Sequence, residues 1–368
     1  MKNNSTTVGY LAAVAMALTT GAGIALVGSS PASAQPKVCD SPKQMQGFKT
    51  CANVEKAEAE GAVTLYSTDP EKGQVALLKA FTDQFPKIKT SYVRLQAGAL
   101  YAKILAERQA KSFTADVLNI SDVGMVQDFQ RRGGLKQYMS PEMAAYKPQY
   151  KSTPEGFFTA SCIITAGIAY NPNFVKPEEA PKTWEDLLSP KWKDAINVKV
   201  SNSGLQHATW FVLKPILAKD YFEKFGENKP RAFDSYVQQY GRLVDGQDKV
   251  IMAAQYSGFI EFKAKGAPVA FTFPATGAPA TQQSLGVVAD APHPNAAELF
   301  LDWYLSPAGQ KVYSEVLFNH SPREDVGPPP GGVPIKEIKV LVPQDTEAYE
   351  KSRPEFAKEW DKIVGARK

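Results

Sequence analysis

The 368-residue chain contains only three cysteines and three histidines. His207, His293 and His320 are too far apart to fit a zinc motif. The sequence has no Gly-x-Ser-x-Gly elbow, no Walker loop and no nucleophile–base pair, so nothing in it carries enzymatic chemistry. It also lacks an excess of charge: 42 basic against 38 acidic residues leaves a formal net charge of +4, with no clustered Lys/Arg face. That balance argues against a nucleic-acid partner. Only one stretch, VGYLAAVAMALTTGAGIALVG near the N-terminus, is apolar and long enough to approach a membrane span.

That stretch follows a single charge, Lys2, and runs into SSPASA, where Ala32 and Ala34 have the small-x-small spacing of a signal-peptidase site. A cleavable secretory signal over residues 1–34 is expected, with Thr19, Thr20 and the glycines arguing against a retained anchor. Cys39 comes too late for a lipid anchor. The mature chain is therefore expected to be exported to the periplasm, where disulfides form. Cys39 and Cys51 flank CDSPKQMQGFKTC and are expected to pair. The bridge would pin an N-terminal arm, 35–53, and restrain the unfolded chain by ~3 kcal/mol at most. Cys162, in the β-branched run FTASCIITAGIAYNP, reads as a buried free thiol. A mature length of roughly 330 residues suggests two domains. An apolar fraction of 43% with 22% charged residues suits a cored, soluble protein.

Past the arm, VEKAEAEG reads as a short helix stopped by Gly61, and AVTLYS as a buried strand. VALLKAFTDQF has helical spacing up to Pro86. IKTSYVRL, LYAKILAERQAKS, ADVLNIS and MVQDFQRRGG continue the alternation of strand and helix. This is a parallel sheet with crossover helices, an α/β fold. Two long β-type runs, near 157–170 and 269–288, break the pattern. They read as strands crossing between two lobes, with a cleft between the lobes and a hinge at the crossings. KVIMAAQ reads as a strand and SGFIEFKAKG as a helix. YFEKFGENKPRAFDSYVQQYGRLVDG reads as helix with one break, and EIKVLVP as a strand. Trp184, Trp192, Trp210 and Trp303 sit in amphipathic patterns and belong by default to the core.

VTLYSTDPEKGQVALLKAFTDQFP, QAGALYAKILAERQAKSFTADVLNISDVG, GIAYNPNFVKPEEAPKTWEDLLSPKWKDAI and AELFLDWYLSPAGQKVYSE together resemble bacterial periplasmic solute-binding proteins of ABC importers, in the branch that includes ferric-iron-binding proteins. The resemblance covers most of the mature chain. It implies a type II periplasmic-binding-protein fold, with one lobe from 54–160 and 286–325 and the other from 161–285 and 326–368. It also implies a small solute or ion as ligand, a permease in the inner membrane as partner, no enzymatic activity and no cofactor. A monomer is the default.

In the ferric-binding relatives, the segment matching KVIMAAQYSGF carries adjacent tyrosines that hold iron. Here Gln255-Tyr256-Ser257 supplies one, which puts a tyrosine-rich iron site in doubt. Asp69, Asp122 and Tyr256 remain a candidate oxygen-rich set should Fe³⁺ be the cargo, although Asp69 and Asp122 also suit helix caps. Small and hydroxyl residues at predicted helix starts favour an anion instead. The expected ligand-binding residues are Ser67, Thr68, Gln96, Gly98, Ser121, Asp122, Ser203, Tyr256 and Ser257. Arg94 is a weaker candidate anion partner, more in keeping with a surface charge. The ligand is expected to load on one lobe, with Tyr256, Ser257 and Ser203 of the second closing over it. A small organic or phosphorus-containing anion ranks above ferric iron. A sensor-coupled binding protein shares every one of these features, and an enzyme on the same fold ranks last.

Overall fold

The computed structural model describes residues 37–365. The expected signal segment lies outside them. A hairpin, β1 (Lys43–Met45) and β2 (Phe48–Thr50), opens the fold and is closed by the Cys39–Cys51 disulfide. Buried Asp302 holds it down, accepting from the Thr50 hydroxyl (2.6 Å), the Cys51 N–H (3.1 Å) and the Tyr138 hydroxyl (2.6 Å). Helix α1 (Val54–Glu60) follows. The Asn53 side chain caps its first turn, and Gly61 (φ 69°) ends it in the left-handed conformation.

Three strand–helix units come next: β3 (Ala62–Ser67) and α2 (Glu71–Gln84), β4 (Lys89–Arg94) and α3 (Ala97–Gln109), β5 (Val117–Ile120) and α4 (Val123–Arg131). Strands β4, β3 and β5 pair in parallel. Strand β6 (Thr159–Tyr170) is buried along its whole length. Beyond it lie β7 (Ile196–Lys199), α5 (Gly204–Leu213), α6 (Tyr221–Glu227), β8 (Arg231–Phe233), α7 (Tyr236–Val244), β9 (Val250–Gln255) and α8 (Tyr256–Ala264). The chain returns through β10 (Ala270–Thr272) and β11 (Ala278–Val287). It finishes with α9 (Pro294–Leu305), α10 (Pro307–Leu317), β12 (Val340–Leu341), α11 (Thr346–Lys351) and α12 (Arg353–Val364).

The strand order β4-β3-β5-β11-β6-β9-β7-β8 makes two half-sheets that share β6. Residues 159–165 of β6 pair with β11, and residues 166–170 pair with β9. The run 269–288 returns as β10 and β11. The two long β-type runs are therefore the crossing strands. Each half-sheet carries helices on its faces, giving two lobes. We call the half built on β3–β5 the first wall and the half built on β7–β9 the second.

Some local details differ from the sequence reading. The segment that reads as helix with one break does break there, but the break also holds a short strand, β8, between α6 and α7, which pairs in parallel with β7. The expected strand EIKVLVP is reduced to Val340–Leu341. Trp184, Trp192, Trp210 and Trp303 are all buried, and Cys162 is a buried free thiol. Replacing Cys39 and Cys51 together with serine is expected to lower the unfolding free energy by about 2–3 kcal/mol in a urea titration, because the cross-link acts on the unfolded chain. Ligand affinity should not change.

Candidate functional site

Parallel strands in an α/β sheet deliver their C-terminal ends, and the helix starts that follow, to one edge. Here that edge forms a small closed pocket of about 30 Å³, room for one or two water molecules. Six helices begin on it. Pro70, Gln96, Ser203, Ser235 and Gln255 are the capping residues of α2, α3, α5, α7 and α8, and Ser121 directly precedes the cap of α4. No cap side chain occupies the first-turn amides of α2, α3 or α8. Free amides and aligned helix dipoles give such an edge a positive potential.

Two cations sit at the pocket. Arg94, at the end of β4, reaches across to Asp234 of the second wall at 2.8 Å, and the Gln96 amide donates to the Asp234 carbonyl. Lys199, at the end of β7, is 7% exposed. Its ammonium donates to Gln255 Oε1 at 2.9 Å and lies 6.0 Å above the Tyr236 ring. Among the described residues no carboxylate is paired with it. Burial, and then the neighbouring Arg94, push Lys199 down to about 8. Gln255 itself is aimed by a bulge: Ala253 adopts φ 57° where the β6–β9 register shifts, turning the end of β9. The Gln255 amide nitrogen is held by Ser257 Oγ at 2.8 Å, leaving its oxygen for Lys199.

The floor is polar and largely self-satisfied. Asp69 accepts from Gln74 (2.9 Å), Tyr313 (3.1 Å), Ser67 (3.3 Å) and Asn119 (3.3 Å), while burial raises its carboxyl to about 6. Ser67 lies within this network. The Tyr313 hydroxyl also reaches Cys162 Sγ at 3.0 Å. The Thr68 hydroxyl, by contrast, is buried at the pocket with no protein partner.

Beside the pocket the walls meet directly. A β-carbon at Gly204 would lie 1.8 Å from the Ser121 carbonyl oxygen, so only glycine permits this approach. Gly98 also lies against Asn202, its amide nitrogen 3.4 Å from the Asn202 carbonyl oxygen. Asp122 caps α4 through the Met125 N–H at 3.0 Å, and its other oxygen accepts from Tyr349 (3.3 Å) and from Arg353. His207 stacks on Tyr349 with ring centres 4.1 Å apart, while its Nε2 bonds Ser352 at 2.9 Å. Burial drives His207 down to about 3, so it stays neutral. Helix α12 packs on α5 and α6, and α11 packs on α4. Asp122 and Arg353 thus tie the two lobes together at the α11–α12 corner.

Of the residues expected at the site, Thr68, Gln96, Ser121 and Ser203 line the pocket, as do Asp69 and Arg94. Ser67 lies beneath it, Gly98 at the contact between walls, Asp122 in the lobe tie and Ser257 behind Gln255. Tyr256 is elsewhere. Its ring packs on Phe273 (4.8 Å) and Phe271 (5.1 Å), and its hydroxyl accepts the Val333 N–H at 3.3 Å. The candidate iron set Asp69, Asp122 and Tyr256 is therefore split among three environments. Among the described residues no three His, Cys, Asp or Glu side chains are grouped to hold a metal. The sequence reading missed Lys199, Gln255, Ser235 and Tyr236. Lys199 carries one legible signal, a charged residue ending an apolar strand just before a helix-start loop.

Gly204→Ala is expected to leave the unfolding transition nearly unchanged, since parting the walls relieves the clash. It should weaken ligand binding at least tenfold, about 1.4 kcal/mol. Calorimetry and small-angle scattering, showing a more open particle, check both halves.

The chain is 23% identical to iron uptake protein A1 of Synechocystis sp. over 321 residues, 80% of this chain and 84% of that protein. Its fold matches the periplasmic binding protein AfuA from Actinobacillus pleuropneumoniae, solved with exogenous fructose 6-phosphate bound. That match has a TM-score of 0.75 and 22% identity and covers 83% of this chain and 99% of that one. Iron-bound HitA from Pseudomonas aeruginosa matches with a TM-score of 0.70 at 20% identity, covering 82% and 99%. Residues 67–311, more than half of the chain, match the model of the bacterial extracellular solute-binding proteins, and the chain belongs to that family.

Proposed function

We propose that this protein is the periplasmic solute-binding component of an ABC importer, closing its lobes around a small organic or phosphorus-containing anion and handing it to an inner-membrane permease. The observation that carries the reading is the convergence of six helix starts on one pocket that also holds a buried, acid-unpaired lysine. A buried ammonium without a counter-charge is costly, and an anionic ligand supplies that charge. The orphaned Thr68 hydroxyl and the unfilled first-turn amides offer further donors. Crossing strands β6 and β11 are where the lobes hinge to admit the ligand and release it.

A ferric-iron cargo is the second reading, favoured by the relatives whose names record iron. Against it stand the separation of Asp69, Asp122 and Tyr256 and the packing of the lone tyrosine among phenylalanines.

The test is a thermal-shift series on protein lacking residues 1–34, with phosphate esters, phosphonates, carboxylates and ferric citrate. An anion at a hundred times its Kd should stabilise the fold by about 2.7 kcal/mol. A visible phenolate-to-iron band with ferric citrate, and no response to the other anions, would overturn the reading in favour of iron.

A further inference from the structure

The two cations at the pocket differ in what already neutralises them. Arg94 spends its charge on Asp234, a residue of the opposite wall, and with Gln96 it forms a bridge that exists only while the walls are together. Lys199 has a neutral amide as its hydrogen-bond acceptor and two ammonium protons left to donate. Its main chain is clamped on both sides, by Gln206 Oε1 on its N–H (3.1 Å) and by Trp360 Nε1 on its carbonyl (2.8 Å). It is thus held in place whether or not the first wall is present. The first wall contributes Asp69, an acid, to the same pocket.

We infer that the anion loads on the second wall, anchored by Lys199 beside the starts of α5, α7 and α8, and that Arg94 is a clasp which locks the closed lobes onto Asp234 rather than the partner of the anion. This rests on the anion reading above and reverses the expected loading order, in which the second lobe closes last. Lys199 then decides specificity: a ligand must present a negative group to it, and an uncharged isostere leaves the ammonium buried and unpaired.

The pH dependence has a fixed sign. The groups facing Lys199 are Arg94 on β4, Asp234 before α7, Tyr236 on α7 and Asp69 across the pocket. Burial holds Tyr236 neutral, and Asp69, raised to about 6, is ionised above pH 7. With the walls together and nothing between them, burial and then Arg94 lower Lys199 to about 8. A bound anion raises it again, so affinity is full near pH 7 and falls as the pH rises past 8.

The experiment measures binding kinetics and affinity of wild type, Lys199→Met, Lys199→Arg and Arg94→Gln at pH 7 and 9.5. The probes are inorganic phosphate, sulfate, methylphosphonate, citrate and fructose 6-phosphate, and the tightest is carried forward. Lys199→Met should lose about 100-fold. Lys199→Arg should stay within tenfold and lose the alkaline fall, and it also serves as the reference for titration of the probe itself. Arg94→Gln should dissociate about tenfold faster with its association rate within twofold. Affinity within threefold of wild type in Lys199→Met, or slowed association in Arg94→Gln, overturns the inference while leaving the anion reading standing. If wild type binds none of the five probes, the anion reading fails and takes this inference with it.

Discussion

The meeting of Gly204 with the Ser121 carbonyl is the contact on which the rest of the cleft depends. It sets how near α5 comes to the end of β5, and through that distance it sets the size of the pocket and the burial of Lys199. The Arg94–Asp234 bridge and the Asp122–Arg353 tie also join the two halves and need the same separation. With a larger side chain at residue 204, none of these distances would hold together. A hinged protein gains ligand sensitivity this way, because closing is favourable only when the desolvated groups inside find partners.

The charges are arranged to leave such a demand unmet. Asp69 is buried but accepts four hydrogen bonds, so its charge is absorbed by the floor. Asp248, on the second wall, is buried and paired with both Arg231 and Arg242. Lys199 and Thr68 stand apart from this pattern. At this small pocket one buried ammonium has only a neutral amide for a partner and one buried hydroxyl has none in the protein.

Much of the architecture was legible because it rests on period and punctuation. AVTLYS, IKTSYVRL and ADVLNIS are strands followed by helices, Gly61 ends its helix, and the long runs around Cys162 and Thr281 cross between lobes. Strand β8 was not legible, since three residues between Pro230 and Asp234 are too short for any period to show. Gln255 escaped for another reason. The bulge at Ala253 is a backbone event written in no residue type, and it turns the chain so that a glutamine meets the pocket. Tyr256 drew attention through its likeness to metal-bearing segments, yet Phe259, Phe271 and Phe273 bring enough aromatic surface nearby to make it a packing residue. Lys199 was hidden because a lysine at a strand end ordinarily snorkels to solvent. Only the tertiary structure, which buries its ammonium against Gln255, shows that it does not.

Strand β11 has a consequence for how the molecule forms. It lies between β5 and β6 yet is encoded after the entire second half-sheet. The first half-sheet therefore has an open edge until residue 287 has been made, and its closure requires contacts separated by more than a hundred residues. Such long-range pairing folds slowly. A chain built this way completes its first half-sheet only after its second has been encoded.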